Sequence, residues 1–193
     1  MGKTITKEEI SKYPAETFDG QIVEIKTVNG CEEAVNYLSG YDLLGFDTET
    51  RPTFKKGNVN GVALIQLSTN DTCFLFRLNI IGFPPSLIRL LSNPDVLKIG
   101  LSLRDDFHSM GRRLKFTPQG FFDLQTVVKN YDIDDLSLQK IYALLFQKKI
   151  SKSQRLTNWE ADLLSESQKR YAALDAWACL KIYKELCLTK KSI

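Results

Sequence analysis

The chain carries a single histidine, His108, among its 193 residues. That count removes the histidine-rich zinc sites and leaves room for at most one catalytic His. Its cysteines, Cys31, Cys73, Cys179 and Cys187, form no C-x-x-C pair and have no zinc-finger spacing, so reduced core thiols are expected. No apolar run is long enough to span a bilayer. The opening residues, MGKTITKEEISKYP, are polar and charged, so a secretory leader is not expected and the protein reads as cytoplasmic, with no membrane partner. Gly2 and Thr6 fit the myristoylation pattern, but one so short recurs by accident. The net charge of +3 is too small to demand a polyanionic partner; it permits one if the basic residues cluster.

What is present fits one globular domain. A hydrophobic content of 43% with 25% charged residues supports a substantial core and argues against disorder. Residues 20–28 (GQIVEIKTV) alternate like a half-buried strand, and 31–39 read as a helix. Strand-like runs follow at 43–49, 62–68 and 73–78, with Asn70-Asp71 marking a hairpin turn between the last two. Pro84-Pro85 opens a helix that runs through Leu91 and is stopped by Asn93-Pro94. A buried strand is predicted at 96–101, then helices at 104–114, 124–131, 137–146 and 167–188. Strands first and helices later predict an α/β fold, a mixed sheet flanked by helices. The segment 147–155 (QKKISKSQR) reads as a flexible loop. The predicted organisation is an N-terminal extension over 1–19, one domain over 20–188 and a tail over 189–193.

Three acidic signals carry chemistry. Asp47 and Glu49 close the apolar run LLGF, and on a strand residues i and i+2 share a face, so both carboxylates point one way. Such a pair repels unless a cation lies between the two. Alone, it reads more simply as a polar strand end before the Arg51-Pro52 turn. Asp106 follows the apolar stretch KIGLSL in the first turn of a helix, where the dipole favours any carboxylate, Asp105 included. Composition does not choose between the two. Tyr171 and Asp175 stand four apart on a helix and face one site, within an apolar, Ala-rich stretch where an unpartnered carboxylate is costly.

Taken together and in order, the segments LLGFDTETRP, GVALIQLS, KIGLSLRDDF and LTNWEADLLSESQKRYAALDAWACLKIY resemble the DEDD-type 3′→5′ exonucleases. The likeness is to the branch with tyrosine in the last motif, and within it to the Werner-syndrome-type and RNase D-like domains; it covers roughly 20–188. The resemblance implies a ribonuclease H-like exonuclease fold, with Asp47, Glu49, Asp106 and Asp175 as metal ligands and Tyr171 orienting the attacking water. One departure stands in the second motif, where many relatives have Asn and this chain has Ser102. The implied reaction is hydrolysis from a free 3′ end of nucleic acid, releasing nucleoside 5′-monophosphates. DNA is favoured and RNA is open, because the choice turns on whether the site admits a 2′-hydroxyl.

Four carboxylates without histidine form a hard-oxygen set suited to two Mg²⁺ or Mn²⁺ ions. Lys148, Lys149, Lys152 and Arg155 could contact phosphates, as could a second basic group of Arg104, Arg112, Arg113 and Lys115. Trp159 could stack on a base or anchor the start of the last helix. Arg51 and Phe54 follow the first motif and could line a pocket for the terminal nucleotide. The alternative is a catalytically inactive relative that binds nucleic acid or serves as a scaffold.

Overall fold

The computed structural model describes residues 2–53 and 60–190. In chain order the helices are α1 (Lys7–Ser11), α2 (Val28–Leu38), α3 (Leu78–Ile81), α4 (Pro85–Leu91), α5 (Leu103–Gly111), α6 (Leu138–Phe146) and α7 (Glu166–Lys190). The strands are β1 (Gln21–Ile25), β2 (Leu43–Thr50), β3 (Val62–Ser68), β4 (Thr72–Arg77), β5 (Leu97–Gly100) and β6 (Phe121–Asp123). They form one mixed sheet in the order β1-β4-β3-β2-β5-β6. β3 pairs antiparallel with both β2 and β4, and the remaining pairings are parallel. β3 and β4 are buried along their full length, which is why both read as continuous apolar runs without clean alternation.

Helices cover both faces. α2 and α4 pack on Phe46, Ile65, Leu67 and Phe76. α7 packs on the other face, where Ala172, Ala173 and Ala176 meet Ala63, Leu64 and Leu75. The run of alanines has a steric purpose. A Cβ placed on Gly45 of β2 would fall 2.0 Å from the carbonyl oxygen of Ala176, so helix and strand approach to a distance only glycine allows.

Register decides where the strand's acidic end lies. β5 pairs only with Leu43, Leu44 and Gly45 of β2, so the stretch from Phe46 to Thr50 extends past its neighbour. α5 starts beside that extension, immediately after β5. A register shift between Glu49 and Thr50 marks a bulge there, a feature that re-aims side chains at a strand end.

Several sequence expectations need correction. The helix predicted over 124–131 is two short 3₁₀ turns, Leu124–Thr126 and Val128–Tyr131. The adjacent β-branched Val127 and Val128 disfavour a continued helix, and Asp123 caps only a single turn. The segment 147–155 is irregular but tied down: Lys149 bridges to Ala15, Ile150 is buried, and the Ile150 carbonyl accepts from Gln139 at 2.6 Å. The short strand β6 has too few residues to show a periodicity. The N-terminal segment packs on the domain, with Ile5 and Ile10 buried against Ala143 of α6. Cys31, Cys73 and Cys179 are buried and free, and Cys187 is exposed and free. Among the described residues no helix is long and apolar enough to cross a membrane.

Candidate active site

The strand geometry puts Asp47 and Glu49 on the face covered by α7, and α7 presents Tyr171 and Asp175 to the same point. One carboxylate oxygen each from Asp47, Glu49 and Asp175 lie within 4.8 Å of one another. Glu49 and Asp175 are buried, at 8% and 7% exposure, so their mutual repulsion is poorly screened by water. Burial raises the Asp47 carboxyl well above its ordinary value, and the neighbouring Asp175 adds to it. Glu49 is pushed up to about 10 by burial first and then by Asp47, Asp175 and Asp106. Asp175 rises to about 7 through burial, held back by a hydrogen bond from the Tyr171 hydroxyl and by Lys152. Such a cluster is neutralised either by protons or by cations.

Asp106 approaches from the other side. Thr48, which alternation turns away from Asp47 and Glu49, donates from Oγ1 to Asp106 Oδ1 at 2.5 Å. Burial and then Asp47 push Asp106 up to about 8, so the two groups sense each other although Asp106 is not in the close trio. Asp105 is exposed, and its carboxylate accepts from Ser102 Oγ at 3.3 Å. The structure therefore holds Asp106 on Thr48, near enough to the acidic cluster to feel Asp47, and leaves Asp105 exposed to solvent.

Asp123, at the end of β6, was missed in the sequence. Its carboxylate accepts from the backbone N–H groups of Ser102 at 3.0 Å, Leu103 at 2.9 Å and Gln125 at 2.9 Å. It thereby fixes the turn that launches α5 and aims Asp106. Ser102 holds this turn in the left-handed region, at φ 63° and ψ 37°. Asn tolerates that conformation better than Ser, which gives a physical reason for Asn at this place.

An open cleft of about 490 Å³ joins Asp47, Asp175 and Tyr171 to Ser102, Gln125 and Lys152. Burial, followed by the nearby carboxylates, raises the Tyr171 hydroxyl far above its ordinary value, so the phenol keeps its proton. The basic segment divides in two. Lys152 lines the cleft, and Arg155 lies near enough to Glu49 to oppose its upward shift. Lys148, by contrast, is paired with Glu16 at 2.8 Å, and Lys149 donates to the Ser11 carbonyl at 3.0 Å.

Trp159 is fully buried, its ring 6.0 Å from that of Tyr171, so no base can stack on it; it anchors the start of α7. Arg51 is paired with Glu160 at 3.4 Å, and Arg113 donates to the Val62 carbonyl at 2.7 Å. His108 contacts Arg112 on the surface. Arg104 borders a separate open groove with Phe107 and Thr126. Phe54 lies outside the described residues.

The donor set fits divalent cations: oxygen ligands only, close together, and buried enough that their charge calls for compensation. Comparison with known proteins bears on the family. The family described as "3'-5' exonuclease" matches residues 22–189. The mouse protein named bifunctional 3'-5' exonuclease/ATP-dependent helicase WRN is 34% identical over 179 residues, covering 88% of this chain and 13% of that protein. A 3'-5' exonuclease of Arabidopsis thaliana is 30% identical over 203 residues, covering 90% of this chain and 66% of its own length. The chain thus spans only part of these relatives. The solved Nibbler EXO domain of Aedes aegypti superposes with a TM-score of 0.82 at 23% identity, covering 92% of this chain and 94% of that one. The shared architecture is the ribonuclease H-like exonuclease fold.

Proposed function

The chain belongs to the 3′–5′ exonuclease family, and on that footing we propose that it hydrolyses phosphodiester bonds at the 3′ end of nucleic acid, using two divalent cations held by Asp47, Glu49, Asp106 and Asp175. The observation that carries this reading is the trio of carboxylates from β2 and α7, with ligand atoms within 4.8 Å of one another beside a phenol held neutral. Mg²⁺ or Mn²⁺ bound there would activate water and stabilise the departing 3′-oxyanion. Tyr171, one helical turn before Asp175, supports a reading of the chain as a member of the tyrosine branch of the DEDD enzymes. Its hydroxyl lies close enough to Asp175 to temper that carboxyl's rise and is available to orient water by hydrogen bonding; because it keeps its proton, it does not act as the general base.

Lys152 supports the same reading, because it faces the cleft beside Asp175 and can take a phosphate of the bound strand. Asp123 sets the α5 start, so Asp106 arrives in a fixed orientation. The products are nucleoside 5′-monophosphates, and DNA is the favoured substrate over RNA.

The test is time-resolved digestion of end-labelled single-stranded DNA, overhanging duplex and RNA, each with Mg²⁺, Mn²⁺ or EDTA. Stepwise shortening from the 3′ end that requires the cation supports the proposal. No cleavage of any substrate with either cation overturns it in favour of an inactive binder.

A further inference from the structure

Gln66 sits in the middle of β3 at 0% exposure, and neither its amide nitrogen nor its amide oxygen has a hydrogen-bond partner among the described residues. Buried polar groups are almost always paired, so a side chain orphaned at both ends needs a cause. Among the other buried atoms without partners, the indole N–H of Trp159 is a single donor and Asn79 lacks a partner only at Oδ1. Arg77 lacks a partner only at Nε, while its other two nitrogens bond Glu24 and Ala161.

The register supplies the cause. Gln66 lies directly across from Asp47 in the β2–β3 ladder, and directly opposed side chains share a face with Cβ atoms about 4.5–5.5 Å apart. Its neighbour on the β4 side is Leu75, and the face is covered by Ala172, Ala173 and Ala176 of α7. Leu64, two residues back on β3, opposes Glu49 and is apolar as well. Of the two residues directly opposed to it, Asp47 and Leu75, only Asp47 is polar, and Arg77, diagonal to it on β4, is committed to Glu24 and Ala161.

We propose that Gln66 is a positioning residue for Asp47: its amide N–H donates to one Asp47 oxygen and leaves the other for a divalent cation. The proposal rests on the cation-binding reading of the site given above. Ligating carboxylates are commonly steadied in this way, and loss of such a partner weakens metal affinity about 10–100-fold. Without the cation the side chain has no role, and it sits unpaired at a cost to stability.

This predicts opposite movements of two quantities. Gln66→Met and Gln66→Leu replace the orphaned amide by apolar groups of comparable size. Both metal-free variants should melt no lower than the parent, while calorimetric Mn²⁺ affinity falls about 10–100-fold. A merely structural glutamine gives the reverse, a lower melting temperature with Mn²⁺ affinity unchanged, and that overturns the proposal. Loss of affinity accompanied by loss of melting temperature in both variants also overturns it, because disturbed packing then accounts for the effect. If the parent binds Mn²⁺ and both variants bind it equally, only the role of Gln66 falls. If the parent itself binds no Mn²⁺, the functional reading falls, and this inference with it.

Discussion

At the scale of single residues, Asp105 and Asp106 are the sharpest contrast, because they are adjacent and chemically identical. Successive helical residues point about 100° apart, so one site can use only one of them. Asp106 bonds Thr48 and senses Asp47, whereas Asp105 is exposed. Asp106→Asn should be nearly inactive with weaker Mn²⁺ binding, while Asp105→Asn should cost at most about 1 kcal/mol of stability and keep most activity. Exchanged phenotypes in a parallel turnover and calorimetry experiment would refute the orientation of α5. Tyr171→Phe removes one positioned hydrogen bond and should lower turnover by about 10²–10³-fold with metal affinity little changed. A loss of metal affinity in that variant would mean that the tyrosine organises the ligands and not the water. Ser102→Asn, at a left-handed position, should raise the melting temperature without loss of activity.

At the scale of elements, the site depends on how closely α7 lies on β2. Gly45→Ala forces Ala176 and the helix outward, so it should displace Asp175 from Asp47 and weaken Mn²⁺ binding more than a surface Gly→Ala change does. Equal Mn²⁺ affinity for parent and variant would show that the close approach is not what assembles the trio. The basic segment before α7 makes a second prediction. Neutralising Lys152 or Arg155 should reduce the log–log salt slope of single-strand binding by about 0.7 each, whereas Lys148→Ala should leave the slope alone and lower stability, since it loses Glu16.

These elements also show what could be read from the chain and what could not. The i, i+2 spacing of Asp47 and Glu49 and the i, i+4 spacing of Tyr171 and Asp175 are local rules, so their shared faces were legible. The burial of Trp159 and the commitments of Lys148 and Lys149 depend on partners over a hundred residues away or on long packing contacts, which no local pattern encodes. Asp123 belongs to the same class, since it acts on a turn some twenty residues earlier. Gln66 did leave a signal: a glutamine inside the apolar run VALIQLS is out of place in a buried strand.

For the whole molecule, two groups of carboxylates pull stability in opposite directions with pH. Glu16, near the N-terminus, is held at about 2: burial opposes its charge, but hydrogen bonds from Lys148, Tyr142 and Lys181 outweigh it. Its folded value is lowered, so its contribution is present above its ordinary 4.5 and is lost as pH falls toward 2. The site carboxylates are raised, Asp175 to about 7, Asp106 to about 8 and Glu49 to about 10. Their contribution is present below about pH 4 and is lost as pH rises through those folded values. The metal-free protein should therefore melt highest in mild acid and progressively lower toward alkaline pH, with Mn²⁺ flattening the alkaline decline. A Mn²⁺ effect no larger than that of an equivalent salt control would remove the cation from the account. We further propose that residues 1–19 are an extension stapled to the 20–188 domain through Ile5, Ile10 and Glu16.

The central claim, that the acidic trio is a cation-dependent hydrolytic centre, is tested most directly by comparing the parent with Asp47→Ala on a 5′-labelled single strand in Mn²⁺, with metal-free melting curves recorded for both. The parent should give a ladder of stepwise 3′ shortening and the variant no cleavage. The variant should also melt at or above the parent, because losing one carboxylate relieves repulsion among those that remain. Cleavage by Asp47→Ala within tenfold of the parent, or a parent ladder that persists in EDTA, would rule out a cation-dependent centre at this trio.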